Sequence, residues 1–392
     1  MKFRQRTPRW IGYLLVAAML AAVTLASPSL AQQTQGQQRR NQPASGQQTA
    51  DQQAAEQIQK QIGELQQRLN EIRAREGAAR STARYARDIE SKKQDDELIR
   101  KLSAGAVDFK KVTYRSSIGD MDIPAYLFQP LKPRGPKGHP ALVWVHGGVA
   151  SSFASDYLPL VRQAVERGYI VIAPEYRGST GYGEAFQEAI DYGGYEVEDS
   201  MSAANYLKAS VPSVDPERIG MIGWSHGGYI TLFSLIRDQN KTFKCGYAGV
   251  PVTNLVFRLS YKGPGYESSF TKQKRIGGEV HQKRDIYIER SPVYHVDKIK
   301  VPVLVHVATN DTDVNFVEDQ FMIYALKYHI PHLADTKIYV DPPGEHHFDR
   351  LVNKEKTAPQ NTEAQRDSWN RIWTFLEGHL KPYLDGKGEV VQ

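Results

Sequence analysis

Five short apolar runs constrain this chain most: Ala141–Val145, Tyr169–Ala173, Ile219–Trp224, Cys245–Val252 and Val301–Val307. Each has the length of a strand, and none alternates strictly with polar residues. Such runs predict strands buried on both faces. Helix-like stretches lie between them at Tyr157–Arg167, Glu196–Ala209 and Tyr229–Ile236, and Ser368–Leu380 closes the series. Val112–Ser116 and Ile123–Gln129 add a strand pair turning at Gly119-Asp120, and Ile338–Val340 adds a last short strand. The alternation predicts an α/β domain over residues 104–385, a mostly parallel sheet with helices on both faces, preceded by an N-terminal helix. No repeat of roughly 20–50 residues points to a propeller or a solenoid.

The N-terminus reads differently. Lys2, Arg4, Arg6 and Arg9 precede the apolar run Ile11–Ala26, and Ser29-Leu30-Ala31 offers small residues for cleavage. This predicts a signal peptide over residues 1–31, cut near Ala31, and a periplasmic or secreted protein. An uncleaved anchor is the alternative. The run falls short of the ~20 residues that span a bilayer, so no stable membrane anchor is expected. No cysteine stands directly after it, which excludes a lipoprotein anchor.

Fifteen glutamines fall between Gln32 and Asn70. A Gln-rich disordered linker is expected over 32–50, because such composition buries too little apolar surface to offset chain entropy. Residues 51–103 predict a charged amphipathic helix, with Gly77 as an interruption. Ile58, Ile62, Leu65, Leu69 and Ile72 alternate at spacings of four and three, a short heptad seam. That seam predicts either a helix lying on the catalytic domain or in solvent, or a homo-oligomer through residues 58–72.

Composition excludes several functions. The chain holds 50 Lys and Arg against 44 Asp and Glu, and four of the basic residues sit in the predicted leader. The remaining balance carries no nucleic-acid signal. A single cysteine, Cys245, excludes an internal disulfide framework and a multi-thiolate zinc site. It reads as a small core residue on an apolar strand.

The strongest local signal is Gly223-Trp224-Ser225-His226-Gly227-Gly228, a G-x-S-x-G placed between a strand and a helix. The serine must sit on a tight, strained turn, and side chains at Gly223 and Gly227 would collide with it. The turn presents the hydroxyl at the carboxyl edge of the sheet, where the helix N-terminus favours developing negative charge. His146-Gly147-Gly148 follows an earlier strand. Backbone N–H groups of Gly148 (or Gly147) and His226 are the expected oxyanion donors.

A base and its orienting carboxylate should follow in chain order. Asp311 and Asp313 both follow Val301–Val307, and His346 and His347 both follow the last strand. Asp311-Thr312-Asp313 also mimics the start of a calcium loop, but Phe316 stands where glycine is needed and Met322 where glutamate is needed. No ligand cluster accompanies the histidine pair, so neither a metal nor a cofactor is expected.

At these residues the chain resembles the catalytic domain of the prolyl oligopeptidase family of α/β-hydrolases, which includes dipeptidyl and acylaminoacyl peptidases. The matching pieces are His146-Gly147-Gly148, the run from Pro174 through Tyr176-Arg177-Gly178-Ser179 to Gly183, Asp215–Ile219, Gly223–Tyr229, Asp311–Val314 and Gly344–Phe348. The resemblance covers roughly residues 105–384. It implies the α/β-hydrolase fold and a triad of Ser225, Asp311 and His346. It also implies a small peptide substrate, with an acyl, acetyl or feruloyl ester as the alternative. Family peptidases usually carry an N-terminal propeller, whereas only about 70 polar residues stand before this domain, so none is expected. A non-catalytic binding module would lack a triad member, and none is lacking. Phe257–Glu289 reads either as a lid or as an aromatic-rich loop packed on the core. Arg177 and Tyr182 either line the entrance or pin their loop.

Overall fold

A computed structural model describes residues 45–351, 358 and 360–391. The predicted signal peptide and most of the Gln-rich linker lie outside the described residues. The apolar runs form strands β3 (His139–Val145), β4 (Ile170–Pro174), β5 (Val214–Trp224), β6 (Phe243–Gly249) and β7 (Val303–Ala308), joined by β1 (Asp108–Arg115), β2 (Asp122–Gln129) and β8 (Ala334–Tyr339). They make one eight-stranded sheet in the order β1-β2-β4-β3-β5-β6-β7-β8. β2 pairs antiparallel with β1 and β4, and every other pairing is parallel.

Parallel strands cannot close through tight turns, so helices cross over and cover both faces. Val143, Ile172, Met221 and Val305 point to one face. There they meet Val197 and Leu207 of α4 (Tyr195–Ser210), Ile230 and Phe233 of α5 (His226–Arg237), and Met322 and Leu326 of α9 (Phe316–His329). Their neighbours Leu142, Val171, Ile222 and Leu304 point the other way. These pack with Leu160 of α2 (Leu158–Glu166) and with Trp369, Ile372 and Trp373 of α10 (Glu363–Leu380). Helix α9 was not read from the sequence. Its first turn lies in the segment where a calcium loop was considered, and it is capped by the Asn315 side chain accepting from Val317 N–H.

The N-terminal helix α1 runs over Ser45–Ser103. Residues 45–50 are therefore helical, which corrects that end of the expected linker, and Gly77 does not interrupt the helix. Gln and Ala cannot build a core, yet both favour helix, and an isolated glycine costs only about 1 kcal/mol. The chain divides into two compact units at Arg73 within α1. In the first unit the seam residues Ile58, Ile62, Leu65, Leu69 and Ile72 are exposed. In the second, Tyr85, Lys92 and Ile99 of the same helix are buried. Among the described residues, no helix is long and apolar enough to cross a membrane.

Candidate active site

The turn from β5 into α5 holds Ser225 at φ 57° and ψ −120°. A side chain at Gly223 would lie 2.3 Å from the Gly227 carbonyl oxygen, and one at Gly227 would lie 2.2 Å from that of Val145. Both distances are well below contact, so the two glycines let three backbone segments meet there. The strained residue is held by its own peptide groups. Ser225 N–H donates to Gly249 O at 2.9 Å, and its carbonyl accepts from Tyr229 N–H at 3.0 Å.

The loop after β3 lies against this turn. A Cβ built on Gly147 would sit 3.3 Å from Ser225 Cβ. The backbone N–H groups of Gly148 and His226 have no partner among the described residues, while Gly147 N–H lies 3.5 Å from the Tyr157 hydroxyl. The Tyr176 hydroxyl reaches the carbonyls of His146 and Gly148 at 3.2 and 3.1 Å. The His146 ring stacks on Tyr176, bonds the Ser179 hydroxyl at 2.9 Å, and burial lowers its pKa to about 3. It is a neutral strut under the loop.

Asp311 and His346 meet at 2.7 Å between Oδ2 and Nδ1. The other Asp311 oxygen accepts from the N–H groups of Asp313 and Val314, each at 2.8 Å. Asp313 turns outward to hydrogen-bond Lys262, and its nearer oxygen stands 3.6 Å from His346 Nε2. Burial raises the Asp313 pKa, but the Lys262 hydrogen bond and the His346 and Lys262 charges outweigh it and hold the carboxyl below its ordinary range. His347 faces away. Burial and the nearby Arg350 charge lower its pKa to about 4. No hydrogen bond joins the Ser225 hydroxyl to either histidine. Such contacts are often long in a ligand-free site and tighten on binding. In the neutral imidazole, with Nδ1–H donating to Asp311, Nε2 of His346 carries the free lone pair.

Arg177 pins its loop. Its Nε and one terminal nitrogen each donate to Asp199 at 2.7 Å, and both residues are buried. Phe257–Glu289 folds into α6 (Leu255–Lys262), α7 (Pro264–Thr271) and α8 (Arg284–Glu289), with Phe270 and Tyr287 buried. Phe270 packs on Tyr192, and Tyr192 packs on the buried His226 ring. Among the described residues no cluster of His, Cys, Asp and Glu could hold a metal.

Sequence reading missed the support that α1 gives to the glycine loop. Lys92 Nζ donates to the Phe153 carbonyl at 2.5 Å and pairs with Glu175 at 2.7 Å, while Glu175 accepts from Phe153 N–H at 3.1 Å. Asp95 accepts from both the N–H and the hydroxyl of Ser155, at 2.9 and 2.6 Å.

A serine on a strained strand-to-helix turn, at the carboxyl edge of a mostly parallel sheet, defines the α/β-hydrolase class. Within that class the chain belongs to the prolyl oligopeptidase family, whose model matches residues 157–382. Relatives include dipeptidyl aminopeptidase BIII of Pseudoxanthomonas mexicana, 31% identical over 64% of this chain and 34% of that protein. Dipeptidyl peptidase family member 6 of Caenorhabditis elegans is 30% identical over 63% of this chain and 32% of its own length. The chain thus spans about a third of the curated relatives it matches. Among solved structures, Porphyromonas gingivalis dipeptidyl peptidase 4 shares the fold with a TM-score of 0.56 and 23% identity, over 72% of this chain and 37% of that one.

Proposed function

We propose that this chain is an exported serine hydrolase of prolyl oligopeptidase type that cleaves short peptides through an acyl-enzyme on Ser225. The observation that carries this reading is the strained Ser225 turn, backed by the Gly147-Gly148 loop and accompanied by the Asp311–His346 pair. Ser225 Oγ attacks the scissile carbonyl as His346 Nε2 takes its proton. Free N–H groups of Gly148 and His226 receive the oxyanion. The C–N bond then breaks as His346 returns the proton to the leaving amine, and water releases the acyl group by the reverse exchange. Asp311 fixes the imidazole tautomer and stabilises its cation. The peptidase names of the relatives support peptides as the substrate.

A carboxylesterase would use the same groups, because fold does not fix the acyl donor. Two assays on the purified protein separate the readings. A fluorophosphonate probe should label the wild-type chain and leave Ser225→Ala unlabelled. The labelled preparation should hydrolyse aminoacyl-anilides as well as p-nitrophenyl esters. Turnover of esters alone would assign the esterase, and an unlabelled but folded wild type would remove the enzyme.

A further inference from the structure

A cavity of about 670 Å3 opens beside the candidate site. Its walls come from Val149 and Ala150, which continue the His146-Gly147-Gly148 loop, and from the segments after β4 and α7. It therefore lies at the carboxyl ends of β3 and β4, the edge where ligands of open parallel sheets bind. β3 is also the direct neighbour of β5, which ends at Ser225.

The charges in this cavity do not cancel. Arg177 is consumed by Asp199, and Asp191 is shared by Arg290 at 2.6 Å and Arg275 at 3.8 Å. That leaves Arg84, Lys272 and Lys274 facing one remaining carboxylate, Glu188, which stands 3.9 Å from Arg84. Lys272 and Lys274 have no ion-pair partner among the described residues. Arg275 is held in place, 3.6 Å over the Tyr195 ring. A second, independent feature sits in the same wall. Gln187, the last residue of the short helix α3 (Glu184–Gln187), is 8% exposed, and its side-chain oxygen has no hydrogen-bond partner. A buried acceptor left unmatched costs roughly 1–3 kcal/mol, so it favours a ligand bringing an N–H donor. A bare anion cannot satisfy that atom, whereas a peptide carrying carboxylates offers both groups.

We propose that this cavity is a substrate subsite for an acidic peptide segment. Its carboxylates face Lys272 and Lys274, and one of its N–H groups donates to Gln187. The proposal rests on the peptidase reading and adds the substrate class. The missing counter-charge would come from the substrate, and the attraction would steer acidic peptides toward the site.

Matched fluorogenic peptides, identical except for Glu, Gln or Lys two or three residues from the scissile bond on either side, test it with the full chain. The Glu peptide should exceed the Lys peptide about tenfold in kcat/KM at low salt, and high salt should compress the ratio. The double variant Lys272→Gln/Lys274→Gln should abolish the preference, while Lys208→Gln on the exposed side of α4 should keep it. Equal kcat/KM for Glu and Lys peptides on the wild type overturns the subsite. Should no peptide turn over, protection of Ser225 from fluorophosphonate labelling gives a readout independent of cleavage. Stronger protection by the acidic peptide supports the subsite although the peptidase reading has failed, and equal protection overturns the subsite as well.

Discussion

Ser225 adopts a backbone conformation that costs on the order of 1–3 kcal/mol for a residue with a side chain. The surrounding peptide groups hold it there, so the strain is fixed before any substrate arrives. Asp311 is fixed in the same manner by two backbone N–H donors and the imidazole. Asp311→Asn keeps the two backbone bonds but presents an amide or the wrong tautomer to Nδ1. It should lower kcat by roughly 10³–10⁴ while the far-UV signal and melting temperature stay near wild type. Asp313→Asn should keep most of the activity, because Asp313 engages Lys262 and makes no bond to Nδ1 of His346. Steady-state kinetics on the two variants decide between the carboxylates. The serine was legible in the sequence because sterics demand glycine at 223 and 227. Spacing alone did not separate the carboxylates, because Asp311 and Asp313 share one short loop and differ only in direction, and it was the family resemblance that pointed to Asp311. Three hydrogen bonds set that direction, and no residue pattern records them. The same holds for His346 and His347, neighbours in one turn of which only His346 bonds Asp311.

At the scale of elements, the strands and most helices were legible from unbroken apolar runs, since burial on both faces leaves no room for alternation. The role of α1 was hidden. A helix so rich in Lys, Arg, Glu and Gln reads as solvated, yet Lys92 is 5% exposed and meets the fully buried Glu175. Nothing in Pro174-Glu175-Tyr176-Arg177 announces a carboxylate buried against another element. The pair and Asp95 together grip residues 153–155, the far end of the loop that begins at His146. This makes Lys92 a positioning residue for the expected oxyanion donors. Lys92→Met leaves Glu175 buried and uncompensated, at a cost of about 3–5 kcal/mol. It should lower the melting temperature and depress kcat more than it changes KM. The double variant Lys92→Met/Glu175→Leu removes both charges and should recover the melting temperature. A kcat equal to wild type in a folded Lys92→Met sample would show that the loop stands without the helix.

The whole molecule carries its pH sensitivity in its buried histidines. His146 and His306 are both fully enclosed, and burial lowers each pKa to about 3. Burial lowers His226 well below its ordinary value and lowers His139 as well, with His139 Nε2 accepting a hydrogen bond from Arg134 N–H. All four are neutral in the fold. In the unfolded chain each takes a proton near pH 6.5. Below that pH the unfolded state binds more protons than the folded one, so the stability these residues contribute is complete above pH 6.5 and is lost as pH falls toward the folded values. Each enclosed histidine should remove about 1.4 kcal/mol per pH unit over that window. His306 isolates the effect, since it lies inside β7, bonds Ser368 through Nδ1 at 2.9 Å, and leaves Nε2 unpartnered. Its ring packs edge-on against Tyr247 and Tyr339, so phenylalanine fits the space. His306→Phe removes the hydrogen bond to Ser368 at every pH, which shifts the stability curve without tilting it. The loss of one titrating group does tilt it. Urea unfolding at pH 5, 6 and 7 should therefore give the variant a shallower decline than wild type, by about one proton's worth of slope. Parallel declines would mean that the His306 environment admits the charged imidazole, and that acid lability arises elsewhere in the molecule.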